Sequence, residues 1–136
     1  MTRLQNRKFE EFQEFLRGFV LELNNLSDEG GVVLIEGKRD AVGLRGIGYT
    51  GQLLSISSFN SEESRQILGG AKTVVILTDL DRQGRQLASR YTKLLRTEGV
   101  DSSLAQRKRL SEASRGTFLH IENLRRFSEL GATLAF

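Results

Sequence analysis

The stretch Thr73-Val74-Val75-Ile76-Leu77-Thr78-Asp79-Leu80-Asp81-Arg82-Gln83-Gly84 constrains this chain most. It opens as a continuous β-branched and apolar run, the pattern of a strand buried on both faces. It closes on two aspartates one residue apart and then a glycine. Side chains alternate along a strand, so Asp79 and Asp81 point the same way if strand geometry persists that far. Carboxylates leaving the C-terminal end of a parallel strand stand where open α/β sheets bind ligands. Turn and cap roles at the start of a helix are the plainer explanation for such aspartates.

A second strand ends in the same manner. Val32-Val33-Leu34-Ile35 runs directly into Glu36-Gly37-Lys38-Arg39-Asp40, where Asp40 suits the cap of a short helix from Ala41 to Arg45. If the two strands are neighbours, Glu36, Asp79 and Asp81 share one cleft. Their mutual repulsion is relieved by a cation or by protonation of one group. The chain has no cysteine and a single histidine, His120. That excludes disulfides, thiolate zinc sites and histidine-rich sites, and leaves oxygen ligands suited to Mg²⁺, Mn²⁺ or Ca²⁺. His120 reads as structural, because it lies outside both motifs.

Elsewhere the pattern alternates between helix and strand. Residues from about Gln5 to Leu26 form an amphipathic helix, with Phe12, Phe15, Leu16, Phe19, Val20, Leu23 and Leu26 at three- and four-residue steps. The stripe suits packing on a sheet, and its phenylalanines also offer a surface for a homodimer or a larger complex. Gly43, Gly46, Gly48 and Gly51 make the next region read as loose. A strand is expected at Leu53 to Ser57, then a helix to Leu68 opened by an Asn60 and Glu63 capping box. A longer helix follows Gly84 to about Glu98, with Leu87, Ala88, Tyr91, Leu94 and Leu95 inward. Ser102 to Ala105 is a weak fourth strand. Arg107-Lys108-Arg109 reads as a solvated basic face, with nucleic-acid contact as the alternative. A helical turn is expected around Leu110 to Ser114, an extended segment or strand at Thr117 to Asn123, and a short helix at Leu124 to Leu130. Strand and helix in alternation predict a parallel sheet with helices on both faces.

The hydrophobic fraction of 38% and charged fraction of 27% suit a globular protein. The formal charge of +3 fits a polyanionic partner without requiring one. No signal peptide and no membrane span are visible, so cytoplasm is the default location. One domain is expected over 1–136, with a helix over 1–28, a core over 29–106 and an extension over 107–136.

Together, the two motifs resemble the Toprim domain, which is shared by topoisomerases, bacterial-type primases, recombination proteins of the RecR kind, overcoming-lysogenization-defect nucleases and nucleases that mature ribosomal RNA. The resemblance covers about Gly31 to Ala105. It implies a Rossmann-like fold with a central parallel sheet of about four strands, here with an added N-terminal amphipathic helix. It implies a Mg²⁺ or Mn²⁺ site on Glu36, Asp79 and Asp81, with Glu36 as general acid or base. Gly37 and Gly84 correspond to the motif glycines. Lys38, Arg39, Arg82 and Arg85 border the site as candidate phosphate contacts. The topoisomerase version often has proline between the aspartates and an acid after the glycine. Here those positions are Leu80 and Arg85, which argues against a topoisomerase-like arrangement of the metal. Ile121-Glu122-Asn123-Leu124 resembles a segment that often closes small Toprim proteins.

A Mg²⁺-dependent nuclease acting on RNA or DNA, similar to the ribosomal-RNA maturation nucleases, is the function this implies. A non-catalytic nucleic-acid-binding or protein-interaction module in replication, repair or RNA processing is the alternative. A phosphotransferase or phosphatase with Asp79 as nucleophile shares the strand-end aspartates but leaves Glu36 without a role.

Overall fold

The computed structural model describes residues 2–115 and 119–127. Four parallel strands form one sheet: β1 (Gly31–Ile35), β2 (Leu53–Ser55), β3 (Thr73–Ile76) and β4 (Ser102–Ser103), in the order β2-β1-β3-β4. The helices are α1 (Arg3–Asp28), α2 (Lys38–Gly46), α3 (Glu62–Gly70), α4 (Arg82–Thr97) and α5 (Ala105–Ser114). Short 3₁₀ turns span Ile56–Ser58 and Ile121–Leu124.

Strand alternation sorts the core into two layers. Val33, Ile35, Val75 and Leu77 face α1, α5 and the second 3₁₀ turn, among Phe12, Leu16, Phe19, Leu23, Leu110, Ile121 and Leu124. Val32, Leu34, Val74 and Ile76 face α3 and α4, among Phe59, Leu68, Ala88, Tyr91 and Leu95. Both faces of the two central strands are therefore dry, which is why they read as unbroken apolar runs. The expected α/β class, with helices on both faces of a parallel sheet and an added N-terminal helix, is what the chain adopts.

α1 lays its aromatic stripe on this sheet. Phe12, Leu16, Phe19 and Leu23 are buried, and Phe9 and Phe12 also meet the ring of Phe127. The aromatic payload that suggested a dimer surface is largely used within the chain. None of the helices among the described residues is long and apolar enough to cross a membrane.

Several local expectations shift. The cap of α3 is Ser61, whose side chain accepts from the Ser64 amide, so the helix starts two residues after Asn60. α4 begins at Arg82, ahead of Gly84, because Asp81 caps it. Leu94 is exposed while Ala88, Tyr91 and Leu95 carry the buried face of α4. Strand β2 stops at Ser55, where the 3₁₀ turn begins. Residues 119–120 precede the second 3₁₀ turn, so no strand forms there; the expected elements also reach into 117–118 and 128–130, outside the described residues.

The glycine-rich region after β1 is tightly packed, contrary to its loose appearance. A Cβ on Gly43 would stand 2.4 Å from the Ile121 carbonyl oxygen and 3.0 Å from Glu122 Cα. The missing side chain lets α2 lie directly on the 3₁₀ turn that follows His120.

Docking of α1 predicts unequal costs along one helix. Leu23 is fully buried, whereas Leu21 is 63% exposed. Leu23→Ala should lower unfolding free energy by about 3 kcal/mol. Leu21→Ala should change it by less than about 0.5 kcal/mol. Urea unfolding followed by circular dichroism measures both.

Candidate metal centre at the strand ends

Parallel pairing of β1 with β3, in the register Leu34 with Ile76, brings the strands out side by side. The Leu77 amide donates to the Leu34 carbonyl, extending the pairing beyond the last assigned residue of β3. One step later the Asp79 amide donates to Glu36 Oε2 at 2.6 Å. The two motif ends are thus joined by a charge-assisted hydrogen bond.

Each carboxylate of the trio predicted from sequence is held in this way by one backbone amide. Glu36 Oε2 accepts from Asp79, Asp79 Oδ1 accepts from the Ile121 amide at 2.8 Å, and Asp81 Oδ1 accepts from the Gly84 amide at 2.7 Å. The second oxygens remain less committed. Among the described residues no hydrogen bond reaches Glu36 Oε1 or Asp81 Oδ2. The cap role of Asp81 is realised and uses only one of its two oxygens, which leaves Oδ2 on the side of His120. Asp79 and Asp81 converge through the loop and helix start after β3, since the strand itself ends at Ile76. The alternation argument therefore gave the right neighbours by the wrong geometry.

Asp40 supports the site from below. It is 6% exposed, and its Oδ2 accepts from the amides of Glu36 and Gly37. It acts as an acceptor inside the first turn of α2, which starts at Lys38 rather than Ala41. Burial raises the pKa of Asp40, and the charge of Asp79 adds to the effect. Burial likewise raises the pKa of Glu36 from its ordinary value. The Asp79 amide opposes that rise, and the charges of Asp79, Asp40 and Asp81 add to it.

Arg107 is placed far from the solvated role its basic cluster suggested. Its Nε donates to the Thr78 carbonyl and hydroxyl, and its Nη2 donates to the Asp79 carbonyl at 2.6 Å. Burial lowers its pKa, and the charge of Arg85 acts the same way. Its neighbour Arg109 pairs instead with Glu22 of α1. The cluster splits between a loop anchor and a helix contact.

His120 also departs from expectation. Its Nδ1 lies 3.3 Å from Asp79 Oδ2 and 3.9 Å from Asp81 Oδ2. One donor atom from each of Asp79, Asp81 and His120 stands within 4.8 Å of the others. Glu36 lies outside that group. The expectation of oxygen ligands alone did not foresee an imidazole beside the two aspartates. The donor set of two carboxylates and an imidazole suits a divalent ion.

The proposed phosphate contacts occupy two helix starts. Lys38 and Arg39 lie in the first turn of α2, and Arg82 and Arg85 in the first turns of α4; all four are exposed. Arg39 further lines a groove of about 330 Å³ with Val42, Glu122, Asn123, Arg125 and Arg126. Arg125 and Arg126 were not singled out from sequence. Only their position directly after the turn that α2 packs against places them beside Arg39.

The two motif glycines differ in need. A Cβ on Gly84 would fall 1.8 Å from the Asp79 carbonyl oxygen, while one on Gly37 meets nothing within 4 Å. Thr78 fixes the same approach by donating to the Gly84 carbonyl at 2.6 Å.

With this geometry in view, the class is an α/β protein carrying an acidic centre at the C-terminal ends of adjacent parallel strands. The Toprim-like family profile matches residues 33–113, and the chain belongs to that family. It is similar to a UPF0292 protein of Methanosarcina barkeri, 33% identical over 129 residues, covering 91% of this chain and 86% of the relative. A UPF0292 protein of Pyrococcus abyssi is 29% identical over 113 residues, covering 83% and 86%. Among solved structures, a protein from Aquifex aeolicus superposes with a TM-score of 0.65 at 25% identity, over 79% of this chain and 95% of that one.

Two measurements check the local geometry. Gly84→Ala should destabilise the fold by about 3 kcal/mol or more, because backbone must shift. Gly37→Ala should cost about 1 kcal/mol or less. Thermal unfolding of both variants gives the comparison. Separately, the hydrogen bond to Asp79 raises the His120 pKa, with the charges of Asp79 and Asp81 adding. The folded value then exceeds the unfolded one of about 6.5. The contact stabilises the fold fully below that pH, and its contribution is lost as pH rises through the folded value. In Asp79→Asn the imidazole should titrate closer to the ordinary value, which proton NMR of the single histidine reads directly.

Proposed function

We propose that this chain is a Mg²⁺- or Mn²⁺-dependent nuclease acting on RNA or DNA phosphodiesters, with residues 1–136 working as one unit. One observation carries the reading: Glu36, Asp79 and Asp81 meet at neighbouring strand ends, each pinned through one oxygen by a backbone amide. Helix capping accounts for the bond of Asp81 but not for the linking of Glu36, Asp79 and Asp81 at one place.

In this reading Asp79 and Asp81 hold the ion. A bound divalent ion supplies charge neutralisation at the phosphate and a more acidic water. Glu36 moves a proton at Oε1, the oxygen left uncommitted by the Asp79 amide. Lys38, Arg39, Arg82 and Arg85 contact phosphates from the N-terminal turns of α2 and α4, where the helix ends themselves favour anions. Arg125 and Arg126 extend that basic rim. Tyr49 and Tyr91 are 1% and 8% exposed, so neither offers a phenolic nucleophile, and water is the simplest attacking group. Family membership and the net charge of +3 are consistent with a polyanionic substrate.

A second reading is binding without turnover, as a module in a replication, repair or RNA-processing complex. It is favoured by the engagement of both Asp79 oxygens, one by the Ile121 amide and one by His120.

Incubation with structured RNA and with single- and double-stranded DNA, in Mg²⁺ or Mn²⁺, separates the two. Cleavage should appear, and Glu36→Gln should slow it about 100-fold or more. Asp79→Ala should abolish both cleavage and metal binding. Salt-dependent retention of nucleic acid with no metal-dependent product would establish the binding module instead.

A further inference from the structure

We infer that His120 is a third protein ligand of the divalent ion, and that it gives the site a preference for Mn²⁺ over Mg²⁺. This rests on the reading of Asp79 and Asp81 as the metal centre and adds a ligand that neither motif contains.

The backbone on both sides of His120 is locked to the loop that carries the aspartates. The Leu80 amide donates to the Leu119 carbonyl at 2.7 Å, and the Ile121 amide donates to Asp79 Oδ1 at 2.8 Å. His120 sits between these two bonds. Ile121 and Leu124, fully buried, anchor the following turn in the core. The Gly43 contact described above holds that turn on α2. The imidazole is presented to the carboxylates by a fixed clip. A histidine merely drawn to nearby charge from a free surface loop would not need one.

The spacing suits a shared ion. Two donors about 2.1 Å from one ion, at angles between square and tetrahedral, stand about 3.0 to 3.4 Å apart. His120 Nδ1 lies 3.3 Å from Asp79 Oδ2 and 3.9 Å from Asp81 Oδ2. The first distance falls within that span, and closing the second requires the His120 or Asp81 side chain to turn toward the ion.

The nitrogen sets the preference. Mg²⁺ is hard, dehydrates reluctantly and takes oxygen ligands. Imidazole suits borderline transition ions, while Mn²⁺ also accepts carboxylates and water. A mixed set of two carboxylates and one imidazole therefore gains more from Mn²⁺ than a set of oxygens alone.

The test uses the full chain and Mn²⁺ as probe, because its unpaired electrons report directly bound nitrogen. Electron spin-echo envelope modulation of the Mn²⁺ complex should show nitrogen coupling from one imidazole. His120→Ala and His120→Gln should both lose that coupling. Their Mn²⁺ affinity should fall about tenfold or more, with Mg²⁺ affinity, read by competition, changing less than about twofold. Circular dichroism should remain unchanged in both, since the His120 side chain is 48% exposed. Mn²⁺ bound in an Asp79-dependent way with no nitrogen coupling would overturn the histidine ligand and leave the two-aspartate centre standing. An equal loss of both ions in His120→Ala would overturn the preference. Failure of the unmodified protein to bind either ion would remove the metal centre itself, and this inference with it.

Discussion

The hydrogen bond from the Asp79 amide to Glu36 Oε2 is the contact on which the site depends. It spans 43 positions of sequence and closes the gap where β1 and β3 stop pairing. Its geometry follows from the register of those strands, so the core and the site are one problem. Eight apolar side chains, four to each face, set that register. A slip of one residue would send each set to the other face and part Glu36 from Asp79. Burial of the alternating strand residues and convergence of the carboxylates therefore rise and fall together.

Bringing Glu36, Asp40, Asp79 and Asp81 together opposes folding unless something offsets the charge. Arg107 does so without touching a carboxylate oxygen. Its guanidinium donates to the carbonyls of Thr78 and Asp79 and to the Thr78 hydroxyl. A bidentate pair with Asp79 would have offset more charge, and would also have consumed the oxygens a metal needs. Placing the cation beneath the loop supplies attraction at longer range and leaves the acidic face open. Burial is the main cause of the raised pKa of Glu36 and Asp40, and the charges of the neighbouring carboxylates add a smaller repulsion to it. That residual repulsion is what a divalent ion would relieve.

Much of this was legible in the sequence, and the rest was not, for identifiable reasons. Unbroken apolar runs at 32–35 and 74–77 mark strands dry on both faces, and α1 is fixed by a stripe long enough to be unambiguous. The carboxylates at the strand ends follow from the motifs. Arg107 was hidden because sequence shows charge and not direction, and it is followed by an exposed Lys108 and an Arg109 that reaches Glu22. His120 was hidden because its contacts, Asp79 and Asp81, are 41 and 39 residues away and no periodicity links them. The available signal was chemical: the chain's only histidine immediately precedes two apolar residues spaced to anchor one turn, Ile121 and Leu124. The glycines after β1 misled in the opposite sense, since a missing side chain permits close packing as readily as it permits flexibility.

The departure at Leu80 acquires a physical meaning from the same clip. Where the topoisomerase version of the motif often carries proline, this chain keeps a residue with an amide hydrogen. The Leu80 amide donates to the Leu119 carbonyl. Proline has no hydrogen to donate there. Substituting it would release the segment immediately before His120 while leaving Asp79 and Asp81 in sequence. The Leu80 side chain packs against the core cluster that also holds Ile121 and Leu124, so backbone and side chain secure the same segment. The residue between the aspartates thus determines whether a further stretch of chain can be joined to the acidic loop. In this protein it joins one that carries an imidazole, and the centre becomes a mixed oxygen and nitrogen site rather than a purely acidic one.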